Sequence, residues 1–151
     1  MRKGQISEGP VGYPMKRIVV SGLAAGLLMF LAMLAVGLAF SAAYPGTSAE
    51  YQNTAIFRPW NDPLMYYMYL HPFLVGLLLS LVWSRTGNLI KESSRPKKGA
   101  VFGLIIWAVF GIPGMLISLS SFQISALLVA SWTLGLLVQD VVAGLVFAFM
   151  D

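Results

Sequence analysis

The chain has 151 residues, of which 58% are hydrophobic and only 11% charged, with a net charge of +4. A soluble domain carries about 25% charged residues, so the composition excludes an ordinary soluble fold and points to a compact, all-α integral membrane protein. Cysteine is absent, which excludes disulfides and thiolate metal sites and leaves the redox compartment open. The positive charge is distributed as a topology signal, so nucleic acid is not an expected partner.

Residues 1–17 read as a polar cytoplasmic arm carrying Arg2, Lys3, Lys16 and Arg17. The arm has too few apolar residues for a core. It is expected to run along the cytoplasmic surface and bind another subunit or the basic Arg85–Lys98 loop. Glu8 is its only acid, so docking on that loop alone would be weak.

A membrane-spanning domain, residues 18–150, follows. Its first apolar run extends from Ile18 to about Ala43. Arg2 and Lys3 ahead of it, and Ser41-Ala42-Ala43 at its end, imitate a signal peptide. At about 26 residues, however, the run far exceeds the 7–15 of a signal-peptide core, so it is expected to span. Gly22 and Gly26 form a small-xxx-small pair that lets a second helix approach closely.

The loop Tyr44–Asp62 comes next, and Asp62-Pro63 is a helix start. Asp accepts from exposed amides, and Pro suits the first helical position. Arg58 is placed to pair with Asp62. The second run, Leu64–Trp83, begins among aromatic residues. Tyr44, Tyr51, Trp60, Tyr66, Tyr67 and Tyr69 suit the headgroup region, where Trp60, Tyr66, Tyr67 and Tyr69 read as interface anchors. The other reading of this cluster is a platform for a quinone, pigment or lipid.

His71 is the single histidine. The bland reading is a hydrogen-bonded residue near the interface. The alternatives are an axial ligand to a chlorophyll or haem, with any second ligand supplied by a partner, or a proton relay with Asp140.

The next loop holds Arg85, Lys91, Arg95, Lys97 and Lys98. With the four basic residues of the arm, nine of the ten Lys and Arg lie on one side of the spans, and only Arg58 lies on the other. The positive-inside rule then places both termini in the cytoplasm.

The third run spans Gly99 to about Leu119, with a Gly99/Gly103 pair and a kink expected at Gly111-Ile112-Pro113-Gly114. The turn Ser118–Gln123 is short and uncharged, which predicts a tight antiparallel hairpin with the fourth run, Ile124–Met150. There Ala126/Ala130 and Gly135 repeat the small-residue pattern. Thr133, Leu136, Asp140, Ala143 and Phe147 share a helical face.

Each of the four runs reaches the roughly 20 residues a spanning helix needs, and the alternating segments of a membrane β-barrel are missing. Asp140 lies about ten residues from the helix end, about 15 Å at 1.5 Å per residue, near the middle of the bilayer. A charge at that depth costs about 2.5–3.5 kcal/mol and usually marks a buried or functional position. Gln139 and His71 complete the set of intramembrane polar candidates.

Catalysis needs several convergent polar groups. The chain offers no histidine cluster, no paired carboxylates at helical spacing and no phosphate loop. A non-enzyme is therefore expected, with no metal and no resident cofactor beyond the His71 alternative.

The stretches Gly99-Ala100-Val101-Phe102-Gly103, Gly111-Ile112-Pro113, Trp132-Thr133-Leu134-Gly135 and Gln139-Asp140-Val141-Val142-Ala143-Gly144, with Phe57-Arg58-Pro59, have a common rhythm. It resembles that of small four-helix prokaryotic membrane proteins grouped as families of unknown function. The resemblance covers the last two spans and part of the Tyr44–Asp62 loop. It implies a multi-pass protein of a prokaryotic inner or plasma membrane, and no particular activity.

Two functions are expected from these features. The first is a non-catalytic accessory or structural subunit of a larger membrane complex, of respiratory, photosynthetic or oxidase type. The second is a small transporter or channel, a homo-oligomer, using Asp140 as a proton or cation site. The bilayer is a partner in both, and other membrane subunits or further copies of the chain complete the assembly.

Overall fold

A computed structural model describes residues 14–151. The described chain is helical: α1 Met15–Ala43, α2 Pro45–Glu50, α3 Tyr66–Thr86, α4 Arg95–Ile106, α5 Ile112–Ser121 and α6 Ala126–Met150. Short 3-10 turns, Pro63–Met65 and Gly87–Leu89, extend α3 at both ends, and a π turn, Trp107–Gly111, joins α4 to α5. Four helical stretches are long and apolar enough to cross a membrane: Met15–Ala43, Pro63–Leu89, Arg95–Ser121 and Ala126–Met150. They coincide with the four apolar runs, with ends shifted by a few residues. The expected docking of the N-terminal arm falls on residues 1–13, outside the described residues. Lys16 and Arg17, assigned to the arm from sequence, belong to α1.

The helices pair α3–α1, α1–α6 and α6–α4, while α3 barely touches α6. Glycine makes two of these pairings. Gly22 and Gly26 of α1 face α3 at Gly76, and a methyl on Gly26 would stand 2.7 Å from the Cα of Phe73. Gly99 and Gly103 of α4 face α6 at Gly144 and the Asp140 backbone, and a methyl on Gly103 would stand 2.5 Å from the Cα of Val141. Backbone contact of this kind gains dispersion where lipid offers no hydrophobic drive for association.

The core occupies one half of the bundle. Ala25, Met29, Leu79, Trp83, Phe102, Ala143, Phe147 and Ala148 form a single buried cluster. Trp83 meets Phe102 edge-to-face at 5.1 Å, and Phe147 lies 6.1 Å from each. Ser21 and Ser80 satisfy each other across α1 and α3 at 2.7 Å. At this end Arg17 donates to the carbonyls of Met150 and Asp151, groups a helix C-terminus leaves without partners. Lys98 Nζ lies 3.6 Å from the Asp151 carboxylate and 5.1 Å from the Trp83 ring centre. The start of α1 and the end of α6 therefore meet at a shared basic end.

The other half is looser. Beyond Met29, α1 has no buried residue, and α5 has none at all. The expected tight hairpin is formed only by α4 and α6; α5 touches α6 lightly. Pro113 has no N–H to offer the carbonyl four residues earlier, and the chain answers with a π turn in which Ile112 N–H bonds to Trp107 O. Pro, Gly and π turns are the usual causes of such breaks.

Candidate functional site

Asp140 and Gln139 lie in the middle of α6, each 6% exposed. The face expected to be buried is buried at Asp140, Ala143 and Phe147, with Gly144 and Gln139 beside them, while Thr133 and Leu136 are half-buried. The Gln139 side chain donates to Gly135 O at 3.2 Å, within its own helix. Asp140 differs: among the described residues no side chain or backbone N–H pairs with its carboxyl. Among the described residues, every fully occluded side-chain N or O does have a partner. The carboxyl therefore keeps a narrow opening to its surroundings, although the residue as a whole is buried.

His71 is on the exposed side of α3, next to buried Pro72. The structure does not bring it to Asp140, because α3 and α6 scarcely touch. Among the described residues, no group of three or more His, Cys, Asp or Glu side chains is placed to hold a metal ion.

The aromatic residues divide into two sets. Tyr66, Tyr67 and Trp60 are exposed at 69%, 68% and 56%, the position an interface anchor needs. Tyr69 is also exposed, with its ring against Phe30 at 6.1 Å. Tyr51 instead turns inward. It lies 5.2 Å from Phe57, 6.0 Å from Trp60 and 6.3 Å from Trp132 of α6, and its hydroxyl accepts from Trp132 Nε1. Burial pushes the Tyr51 phenol above its ordinary value, with the Trp132 hydrogen bond opposing and the Glu50 carboxylate adding to the rise.

These rings, with Arg58, Met65 and Met68, line a partly open cavity of about 240 Å³. Two clamps hold its frame. Glu50 accepts from the backbone and hydroxyl of Ser125, at the start of α6. Arg58 pairs with Asp62 at 2.9 Å, and Asp62 also accepts from Leu64 N at 2.8 Å. The Leu64 amide, then Arg58, holds the Asp62 carboxyl below its ordinary value.

The Asp62 helix start and the Arg58–Asp62 pair were legible from spacing. The Glu50–Ser125 and Tyr51–Trp132 links were not, since each joins residues more than seventy positions apart. The signal available was weak: a lone acid and an inward-capable tyrosine in an aromatic-rich loop. No family model, no curated protein and no solved structure matches the chain.

Proposed function

We propose that the protein is a multi-pass four-helix bundle of a prokaryotic cell membrane, with both termini cytoplasmic, acting as a non-catalytic accessory or structural subunit of a larger membrane assembly of respiratory, photosynthetic or oxidase type. The positive-inside distribution supports the orientation. The motif resemblance supports the prokaryotic setting. The observation that carries the subunit reading is the uneven packing. One half is closed glycine-to-backbone and filled by Met29, Trp83, Phe102 and Phe147, while α5 and the second half of α1 have no fully buried residue. A conduit through one copy would have to cross the filled half, whereas a rigid scaffold with free helical surface suits a place among other subunits. Extraction in mild detergent, followed by identification of co-purifying chains, tests this. Different membrane proteins recovered in fixed ratio are expected; recovery of this chain alone overturns the reading.

One observation favours a second reading, a small oligomeric transporter or channel. Asp140 is a buried intramembrane carboxyl without a partner among the described residues, and such groups often mark proton or cation paths. In that case the chain purifies as a homo-oligomer, and Asp140→Asn abolishes ion or proton flux in vesicles while the fold persists.

A further inference from the structure

The cavity around Tyr51 has polar handles of one kind. The Tyr51 hydroxyl accepts from Trp132 Nε1, a group that only donates. Its own proton is left without an acceptor among the described residues, and its raised pKa keeps that proton in place at neutral pH. Arg58 and the Trp60 indole, also on the wall, likewise only donate, and one Arg58 Nη is engaged by Asp62. The remaining wall is Phe57, Trp60, Trp132 and two methionines.

Size and charge narrow the occupant. A cavity of about 150 Å³ holds benzene, and drug-sized ligands take about 300–1,000 Å³. A space of about 240 Å³ therefore suits one substituted ring. Arg58 is neutralised by Asp62, and the Glu50 carboxylate acts on Tyr51, so an anion finds no net attraction. A cation would meet ring faces, but the only charged side chain on the wall is the Arg58 cation, and Tyr51 and Arg58 turn donors to it. An uncharged ring with hydrogen-bond acceptors fits both the walls and the handles. Met65 and Met68, at the start of the second span, Pro63–Leu89, give an apolar tail a way toward the bilayer.

We propose that this aromatic cavity binds a compact, neutral ring bearing carbonyl oxygens, the head of a membrane-dissolved quinone being the chemical class. Tyr51 and Arg58 donate to the carbonyls, and the rings of Phe57, Trp60 and Trp132 hold the body. This goes beyond the subunit and transporter readings and depends on neither.

The test uses the full chain in detergent, with duroquinone as probe and tryptophan fluorescence quenching as readout. Saturable quenching is expected. Tyr51→Phe, which keeps the ring and removes the donor, should raise Kd roughly fivefold to tenfold, as expected for one lost hydrogen bond. Arg58→Gln, at an exposed side chain, should weaken binding too and carries the test if Tyr51→Phe does not fold. Phe149→Leu, at an exposed position near the end of α6 and outside the cavity, should leave Kd unchanged. Durene, the same ring without carbonyls, should bind at least fivefold more weakly. The proposal is overturned if durene matches duroquinone, if neither donor variant changes Kd, if quenching does not saturate, or if benzyltrimethylammonium binds more tightly than the quinone.

Discussion

Alanine at Gly103 and at Gly37 should have opposite effects, although both replace a helical glycine in an apolar span. A methyl at Gly103 would lie 2.5 Å from the Cα of Val141, and one at Gly26 2.7 Å from the Cα of Phe73. At Gly99 the Leu145 Cα would be 2.8 Å away. Real Cβ atoms essentially never come within 3.0 Å of another heavy atom, and these neighbours are backbone, which no rotamer change can move. Whole helices must separate. Gly37 and Gly114 meet nothing within 4 Å. Replacing a mid-helix glycine with alanine gains about 0.5–1 kcal/mol in backbone entropy, and that gain is shared by every variant in the series. What separates Gly103→Ala from Gly37→Ala is the cost of overpacking, about 1–3 kcal/mol. Separation of helices pushes it toward the upper end, because every contact along the α4–α6 seam weakens together. Thermal unfolding of the full chain in one detergent, followed by tryptophan fluorescence, measures the series. Gly37→Ala and Gly114→Ala should melt at or slightly above wild type. Gly26→Ala, Gly99→Ala and Gly103→Ala should melt several degrees lower. If Gly103→Ala is as stable as Gly37→Ala, the helices do not touch backbone-to-backbone and the packing described here is wrong.

Asp140→Leu should leave the isolated chain equally or more stable, because it removes a buried carboxyl with no partner among the described residues; leaving such a group unpaired costs about 1–3 kcal/mol. A loss above about 1 kcal/mol in the same melting assay would reveal a partner within the chain. Tyr51 has a raised pKa, so its neutral form is favoured by folding. That stability is whole below the ordinary tyrosine value of about 10 and is lost as pH rises through the folded value. The phenolate absorbance difference between wild type and Tyr51→Phe should accordingly grow only above about pH 10; growth at lower pH contradicts the burial. For orientation, Ser48→Cys should be labelled by an impermeant thiol reagent from outside intact cells, and Ser93→Cys only after lysis. Labelling of Ser93→Cys from outside reverses the topology.

The spans were legible because apolar length alone decides them, and the helix start at Asp62 because its chemistry is local: the carboxyl accepts from an amide two residues on. Gly22/Gly26 and Gly99/Gly103 were legible as close-approach positions, but not which helix each would meet. Ala126/Ala130, of the same pattern, makes no such seam; both residues are exposed and border a groove beside Trp107. Spacing records that a helix could approach, whereas the identity of the approaching helix depends on all the others. The same reason hid Asp151. It gathers Arg17 and Lys98 at the basic end, a role visible only once α1, α4 and α6 are side by side. His71 shows the converse: a rare residue type drew attention, yet its helix turns it outward, away from Asp140.

The proline break and the aromatic cavity arise from one packing choice. At the start of the π turn, Trp107 Nε1 donates to Thr133 O at 2.9 Å, the last hydrogen-bonded link between this span and α6. Past it α5 departs, and the first turns of α6 lose the neighbour that a straight hairpin would have given them. The loop after α1 takes that place. Glu50 ties down Ser125, and Tyr51 takes the indole N–H of Trp132. A helix would have covered α6 with an even row of side chains at its own period. An irregular loop covers it with a few large rings at angles, Phe57 standing at 89° to Trp132 and Tyr51 at 41°. Rings set at such angles cannot fill space as interdigitated aliphatic chains do, and the remainder is the cavity. The missing cover from α5, and with it the place the loop takes on α6, thus traces to the break at Pro113 and the backbone N–H that it lacks.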